Sequence, residues 1–322
     1  MDVKEKAKEI RRLWSGYWQA RAIITANNLE VFEHLKEKRT AAQVARKTKT
    51  DARATGILLD ALTGMGFLKK TKDLYVNTKD ANVFFIRGQE FYQGDIVRHA
   101  DSLWKSWSQL DEVVRSGKPA KKERSSAGFE SFILGMHNLA RLKAGPVIKA
   151  VGLKGVKSAL DLGGGPGTYA LEMERQGVAD VALFDMPDTI KIAGKHLRKL
   201  GAKGIRFIKG DFHRDDIGGG YDLVLMSNIL HSNSPEDCRM LLKKAAASLN
   251  AGGRAVIHEF YLGEDHATPL SSALFSINML VNTPGGRCYS FSEYKSFMRA
   301  AGIGNVTQKI LGDSIIVEGR AK

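Results

Sequence analysis

Acidic or polar residues stand at the ends of four successive apolar runs. Asp161 closes Ser158-Ala159-Leu160 and leads into the glycine loop Gly163-Gly164-Gly165-Pro166-Gly167. Asp185 ends Val181-Ala182-Leu183-Phe184. Asp211 and Phe212 follow Phe207-Ile208-Lys209-Gly210, and His231 lies just past Leu225-Met226-Ser227-Asn228-Ile229-Leu230. An open parallel sheet presents a nucleoside-like ligand at its carboxyl edge, where one such residue per strand collects. This order reads as a site for S-adenosylmethionine, and so for methyl transfer.

Each residue suits a defined task. Glycines let a ligand approach backbone closely. The spacing is G-x-G-x-G, where a dinucleotide fingerprint would show G-x-G-x-x-G. Pro166 also removes a donor that a pyrophosphate cradle would use. Asp185 can accept from two ribose hydroxyls; its bland role is to cap the helix after Met186-Pro187. Asp211 can accept from an adenine amino group while Phe212 contacts its face; the bland reading is a turn aspartate beside a core ring. His231 suits a general base, since an unperturbed imidazole titrates at about 6.5. Glu259, in the apolar run Arg254 to Leu262, can fix the tautomer of that histidine. Alternation puts His258 on the opposite face.

The elements that must position these residues are legible from period and punctuation. At 322 residues the chain has room for two domains. Strand candidates are 157–162, 180–185, 205–209, 221–227 and 254–262, with helices near 167–176, 187–200, 235–249 and 291–301 and a closing hairpin in VTQKILGDSIIVEG. Such alternation implies an α/β fold with a doubly wound sheet. Upstream, residues 1–35 form one or two helices with an apolar stripe that includes Trp14, Tyr17, Trp18, Ile24, Phe32 and Leu35. Thr40 and Gln43 form a capping box, Asp51 caps a second helix, and two short strands follow around the turn Lys70 to Asp73. This is a winged-helix pattern, but the helix in the recognition position is apolar (Ile57, Leu58, Leu59, Ala61, Leu62) and suits protein packing better than DNA. Boundaries are drawn at 1–115, 116–150 (linker and connecting helix) and 151–322.

Composition excludes some classes. No apolar run approaches the roughly 20 residues of a membrane span. The amphipathic N-terminus lacks a signal core. Two cysteines, Cys238 and Cys288, imply neither a disulfide framework nor a metal site, and a cytoplasmic location is the default expectation. The net charge of +14 keeps an acidic partner open, yet the lysines are dispersed, and Lys118 to Arg124 is the one dense basic cluster. Nucleic acid is disfavoured as a partner.

At DLGGGPG, FDMP, GDF, MSNILHSNSPEDC, VIHEF and NTPGG the chain resembles the plant-type O-methyltransferases, which include caffeic acid and hydroxyindole O-methyltransferases and many bacterial relatives. The resemblance covers nearly the whole chain. It implies a class I methyltransferase domain behind a winged-helix dimerisation domain, S-adenosylmethionine as donor, S-adenosylhomocysteine as product, and a homodimer joined through exchanged N-terminal helices. Carried over by position, Gly163 and Gly165 approach the cofactor, Asp185 holds ribose, and Asp211 with Phe212 holds adenine. Ser227 stands where plant members often have lysine. His231 matches the general base and Glu259 one of two acids that orient it. Phe132, Met136, Phe275, Asn278 and Met279 line the acceptor pocket. The second orienting acid is replaced by Cys288, and Ser232-Asn233 stands where Asp-Trp is usual.

The expected reaction is methyl transfer to a hydroxyl oxygen of a small aromatic acceptor, with His231 as base. The alternatives are the same fold with methylation at carbon or nitrogen, or with non-methylating chemistry; a winged-helix regulator that senses a small ligand; and a nicotinamide dehydrogenase.

Overall fold

Asp2 starts the first helix by accepting from the backbone N–H of Lys4, yet that helix, Val3–Ser15 (α1), buries none of its residues. In this computed structural model, residues 2–121 and 126–321 are described. The apolar stripe of the N-terminus splits in two. Ile24 in Tyr17–Asn28 (α2), with Val31, Phe32 and Leu35 after it, is buried, whereas Trp14, Tyr17 and Trp18 are 58, 52 and 59% exposed. A short strand, Arg39–Thr40 (β1), precedes Ala41–Thr48 (α3), which opens on the Thr40–Gln43 capping box. Asp51 caps Ala52–Gly64 (α4). Leu59 and Leu62 of α4 are fully buried, so this helix spends its apolar side on its own core. Leu68–Thr71 (β2) and Leu74–Asn77 (β3) form an antiparallel sheet with β1 in the order β1-β3-β2. Lys79–Phe85 (α5) and Gly94–Trp107 (α6) follow. The N-terminal unit ends at Ser102. A cleft of about 460 Å³ within it is lined mainly by apolar side chains, among them Tyr17, Trp18, Leu29 and Leu58.

The second unit begins at Leu103. Leu110–Ser116 (α7), Ser126–Arg141 (α8) and Ala144–Val151 (α9) lead into it. The basic cluster foreseen at Lys118 to Arg124 lies partly outside the described residues. The alternating part runs Ser158–Leu162 (β4), Thr168–Arg175 (α10), Asp180–Asp185 (β5), Pro187–Lys199 (α11), Arg206–Lys209 (β6), Tyr221–Ser227 (β7), Pro235–Ser248 (α12) and Leu249–Phe260 (β8). Leu270–Asn282 (α13), Phe291–Ala300 (α14), Gly304–Leu311 (β9) and Ser314–Arg320 (β10) complete the chain. The sheet order is β6-β5-β4-β7-β8-β10-β9. The first five strands are parallel, and β10 and β9 join antiparallel. Strand β8 starts at Leu249, five residues before the expected 254, because Leu249 pairs with Tyr221 across an irregular register.

Strand alternation divides the core between the two sheet faces. Leu160, Leu162, Ala182, Phe184, Val224, Met226 and Ile257 pack on one side. Ala159, Val181, Leu183, Leu223, Leu225 and Val256 pack on the other. The central strand is covered on both faces, as a parallel sheet requires. Truncating Leu160 to Ala should therefore cost about 2–5 kcal/mol, the range for a fully buried leucine. Urea unfolding would read this as a lower midpoint at unchanged slope; a loss under 1 kcal/mol would show that β4 does not anchor the sheet.

Candidate active site

Strand β4 delivers Asp161 to the head of the glycine loop. Gly163, Gly165 and Gly167 all have left-handed backbone, at φ +67°, +56° and +77°. A Cβ on Gly163 would lie 2.9 Å from Ile229 Cγ2 and 3.3 Å from Phe212 Cε1, so the rings and methyls around the loop already touch its backbone. A Cβ on Gly165 would meet nothing within 4 Å, which leaves open space above the middle of the loop. Asp185, at the end of β5, ties into that point: its carboxylate accepts from Gly165 N–H at 2.8 Å and from Met186 N–H at 2.7 Å. Burial raises its pKa, and the two backbone donors and the Thr189 hydroxyl oppose that rise. With three donors in place, about one of the roughly four lone pairs of the carboxylate remains for a further donor.

Asp161 is fully buried beneath the loop. One carboxyl oxygen accepts from Ala170 N–H at 3.0 Å, and the other has no partner. Burial first, and then the charge of Asp185, raise its pKa to about 7. The sequence places Asp161 first among the strand-end acids but assigns it no contact of its own, and the orphaned oxygen is visible only in the fold.

Asp211 and Phe212 follow β6. Asp211 accepts from His213 N–H at 2.9 Å, the turn role foreseen as its bland reading, and Phe212 packs toward Gly163. Ser227, at the end of β7, is joined to His258 Nδ1 at 2.8 Å. His258 points away from Glu259, as alternation requires, and lies under the ring of Tyr169 with centroids 5.5 Å apart. Burial lowers its pKa to about 4, so it is neutral at pH 7.

The catalytic candidates meet one strand further on. Asn228 takes a left-handed conformation at φ +55°, which ends β7 and starts the turn Leu230–Ser232. That turn sets His231 Nδ1 2.7 Å from Glu259 Oε2, while His231 N–H donates to Glu259 Oε1 at 3.2 Å. Glu259 is 1% exposed. Burial alone would raise its pKa; the charge and the two hydrogen bonds of His231 outweigh it and hold the carboxyl below the usual range. A carboxylate only accepts, so Nδ1 carries the proton and Nε2 presents a lone pair. Among the described residues Nε2 has no hydrogen-bond partner. The ring sits against Phe275 at 5.0 Å and Phe260 at 5.7 Å.

The expected pocket residues occupy two elements. Phe275, Asn278 and Met279 lie on α13, and Phe132 and Met136 on α8. Phe275 reaches His231 directly. Asn278 Oδ1 accepts from Trp107 Nε1 at 2.8 Å and from Asn282 Nδ2 at 2.9 Å. Met279 is buried. Next to Met136, His137 bonds Thr168, the first residue of α10, at 2.9 Å, which ties α8 to the end of the glycine loop. Cys288 is buried, and burial pushes its thiol up to about 12, so it is neutral at pH 7.

Comparison with known proteins decides the family. The model of an O-methyltransferase domain matches residues 107–304, and that of an O-methyltransferase dimerisation domain matches 12–87. The chain belongs to the O-methyltransferase family. It is 31% identical to the 3-hydroxy-5-methyl-1-naphthoate 3-O-methyltransferase of Streptomyces sahachiroi, over 91% of this chain and 88% of that protein. It is also 31% identical to the human probable bifunctional dTTP/UTP pyrophosphatase/methyltransferase protein, over 93% of this chain, which spans only 51% of that longer protein. The solved structure of PigF with SAH, a methyl transferase of Serratia, is 27% identical, covers 97% of this chain and 99% of its own, and has a TM-score of 0.89. The fold and enzyme class expected from the motifs stand, and the regulator and dehydrogenase readings are not retained.

Asp161 makes a pH prediction. Its folded pKa of about 7 lies above the unfolded value of about 3.9. The folded state therefore binds more protons across that window, and stability falls as pH rises through it. Asp161→Asn keeps an acceptor for Ala170 and removes the titration. The melting temperature of the variant minus that of wild type, both free of cofactor, should grow by several degrees from pH 5 to pH 8, on the order expected for 1–2 kcal/mol. A gap that stays constant would show that Asp161 is ionised throughout.

Proposed function

We propose that this chain, an S-adenosylmethionine-dependent O-methyltransferase, methylates a hydroxyl oxygen on a small aromatic acceptor, with His231 as general base and Glu259 as the residue that orients it. One observation carries the reading: Nδ1 of His231 is committed to a buried carboxylate while Nε2 is left unpaired beside two aromatic rings. The names of the relatives, a naphthoate 3-O-methyltransferase and acetylserotonin O-methyltransferases, support an aromatic hydroxyl as acceptor.

The residues of the glycine loop fit the donor. Open space over Gly165, the remaining acceptor capacity of Asp185 and the orphaned oxygen of Asp161 suit a ligand with ribose hydroxyls and an ammonium group. Gly163 and Gly165 would let its backbone side approach, Asp185 would take the ribose, Asp211 and Phe212 the adenine, and Ser227 would face it at the end of β7. When bound, S-adenosylmethionine would supply an electrophilic methyl group whose bond to the sulfonium sulfur breaks as the new oxygen–carbon bond forms, leaving S-adenosylhomocysteine.

The chain's own residues do the rest by placement and proton transfer. Phe275 and Phe260 give the acceptor ring an apolar wall that keeps the hydroxyl near Nε2. His231 takes the hydroxyl proton on Nε2 as the oxygen–carbon bond forms. The cation thus created lies against the Glu259 carboxylate, which is already ionised. A phenol has a pKa of about 10, so removal of its proton at neutral pH requires such a base. With Cys288 buried and neutral, Glu259 is the acid that bonds the His231 ring among the described residues. We also read the exposed Trp14, Tyr17 and Trp18 and the cleft beside them as the surface through which a second copy joins, consistent with the dimerisation domain.

Calorimetry with S-adenosylhomocysteine and turnover of phenolic acceptors test the assignment. His231→Ala should lower kcat by about 10²–10⁴ and leave the dissociation constant of S-adenosylhomocysteine within about twofold. Glu259→Gln should fall between the two, with a shifted pH–rate profile. Full activity of His231→Ala would sink base catalysis and favour methylation by proximity or at another atom.

A further inference from the structure

The segment that follows α13, Thr283-Pro284-Gly285-Gly286, lies on the turn that carries His231. A Cβ built on Gly286 would stand 2.3 Å from the carbonyl oxygen of His231 and 2.9 Å from the carbonyl carbon of Ser232. Both are backbone atoms, so no side chain could swing aside to admit it. The third neighbour is Thr283 Oγ1 at 2.6 Å, which is itself fixed: it accepts from Gly286 N–H at 3.0 Å and donates to Met279 O at 2.8 Å. The same segment is thus bonded to the last turn of α13, the helix that carries Phe275 and Met279, and pressed against the backbone of the base. Further contacts hold the turn from below. Tyr289 O–H donates to Asn233 O at 2.6 Å, and Asn233 Nδ2 donates to Ile229 O at 2.6 Å.

We infer that Gly286 is a positioning residue for the base: its missing side chain lets the acceptor wall on α13 and the His231 turn sit in direct backbone contact, which fixes the distance between Nε2 and the acceptor. The role of His231 in that sentence rests on the proposed function above. A methyl at residue 286 needs roughly 0.7–1 Å more room, and a misplacement of about 1 Å near reacting atoms can cost about 10²-fold in rate. The displaced element would be the turn, because Gly286 is braced from behind through Thr283 and Met279.

Gly285 supplies the control. A Cβ there would meet Ser234 Cβ at 3.1 Å and Ser234 Cα at 3.5 Å, past the turn, with no atom of His231 among its three nearest neighbours. The test compares Gly286→Ala with Gly285→Ala in the full-length protein. Three quantities are measured: the dissociation constant of S-adenosylhomocysteine, kcat with a phenolic acceptor, and the low-field Nδ1 proton resonance of His231, assigned by its loss in His231→Ala. The expected result is unchanged S-adenosylhomocysteine binding in both variants, with kcat about 100-fold lower and the His231 resonance shifted or lost only in Gly286→Ala. A Gly286→Ala protein that keeps the wild-type resonance overturns the inference, as does equal loss of the resonance in both variants. A shifted resonance with undiminished kcat would leave the positioning intact and refute the base assignment instead.

Discussion

A carboxylate sealed from water is tolerable only when donors replace the water it lost. Glu259 is that carboxylate, and the site is arranged around its needs. The His231 ring and the His231 N–H both donate to it, and Asn228 Nδ2 stands 3.5 Å away. To bring two donors of one residue to two oxygens of another, the chain must reverse sharply after β7. Asn228 supplies that reversal with a left-handed backbone that asparagine tolerates better than most residues. The register of β7 on β8 completes the arrangement: Ser227 pairs with His258, so Glu259 is the next residue along and faces the turn. A slip of one residue would send His258 to the turn and Glu259 to the other face.

The acids beside the glycine loop are satisfied differently, which is what the proposed donor site requires. Asp185 is stiffened by Gly165 and Met186 without exhausting its lone pairs. Asp161 is spent on Ala170 with one oxygen only. Both carboxyls are raised by burial, whereas Glu259 is lowered. The contrast separates the two groups of acids: Glu259 has its donor, the His231 ring, built in, whereas among the described residues one oxygen of Asp161 has none.

Local pattern made much of this visible. Strand ends, caps and the loop are short-range features, so Asp185, His231 and Glu259 could be placed on one sheet edge by alternation and turn chemistry alone. The Thr40–Gln43 box and the Asp51 cap are likewise local and occur where the residues demand. What was not legible depends on contacts distant in sequence. The two-residue β1 exists only because β3 pairs with it. The Trp14–Trp18 stripe looks like core by periodicity, yet its aromatic residues remain more than half exposed in the chain. The indole of Trp107 sets the orientation of Asn278 across 171 residues, and Gly286 meets His231 across a gap that no motif spacing encodes. Seen in sequence, a second glycine after proline is merely a turn.

The replacement of an acid by Cys288 fits the electrostatics of the pocket. A second carboxylate near Glu259 would set two like charges in a region of low dielectric, and at least one of their pKa values would rise. The neutral thiol avoids that repulsion, so Glu259 remains ionised chiefly through its contacts with His231. For the base proposed above, orientation then rests on one hydrogen bond to the ring and on the backbone packing of its turn. Where a second acid would hold the imidazole from another side, Gly286, Tyr289 and Asn233 pack against or bond the main chain of the turn. Under that proposal, rigidity of the turn takes over part of the work that charge would perform in a two-acid site, and a contact between two backbones bears on the chemistry at Nε2.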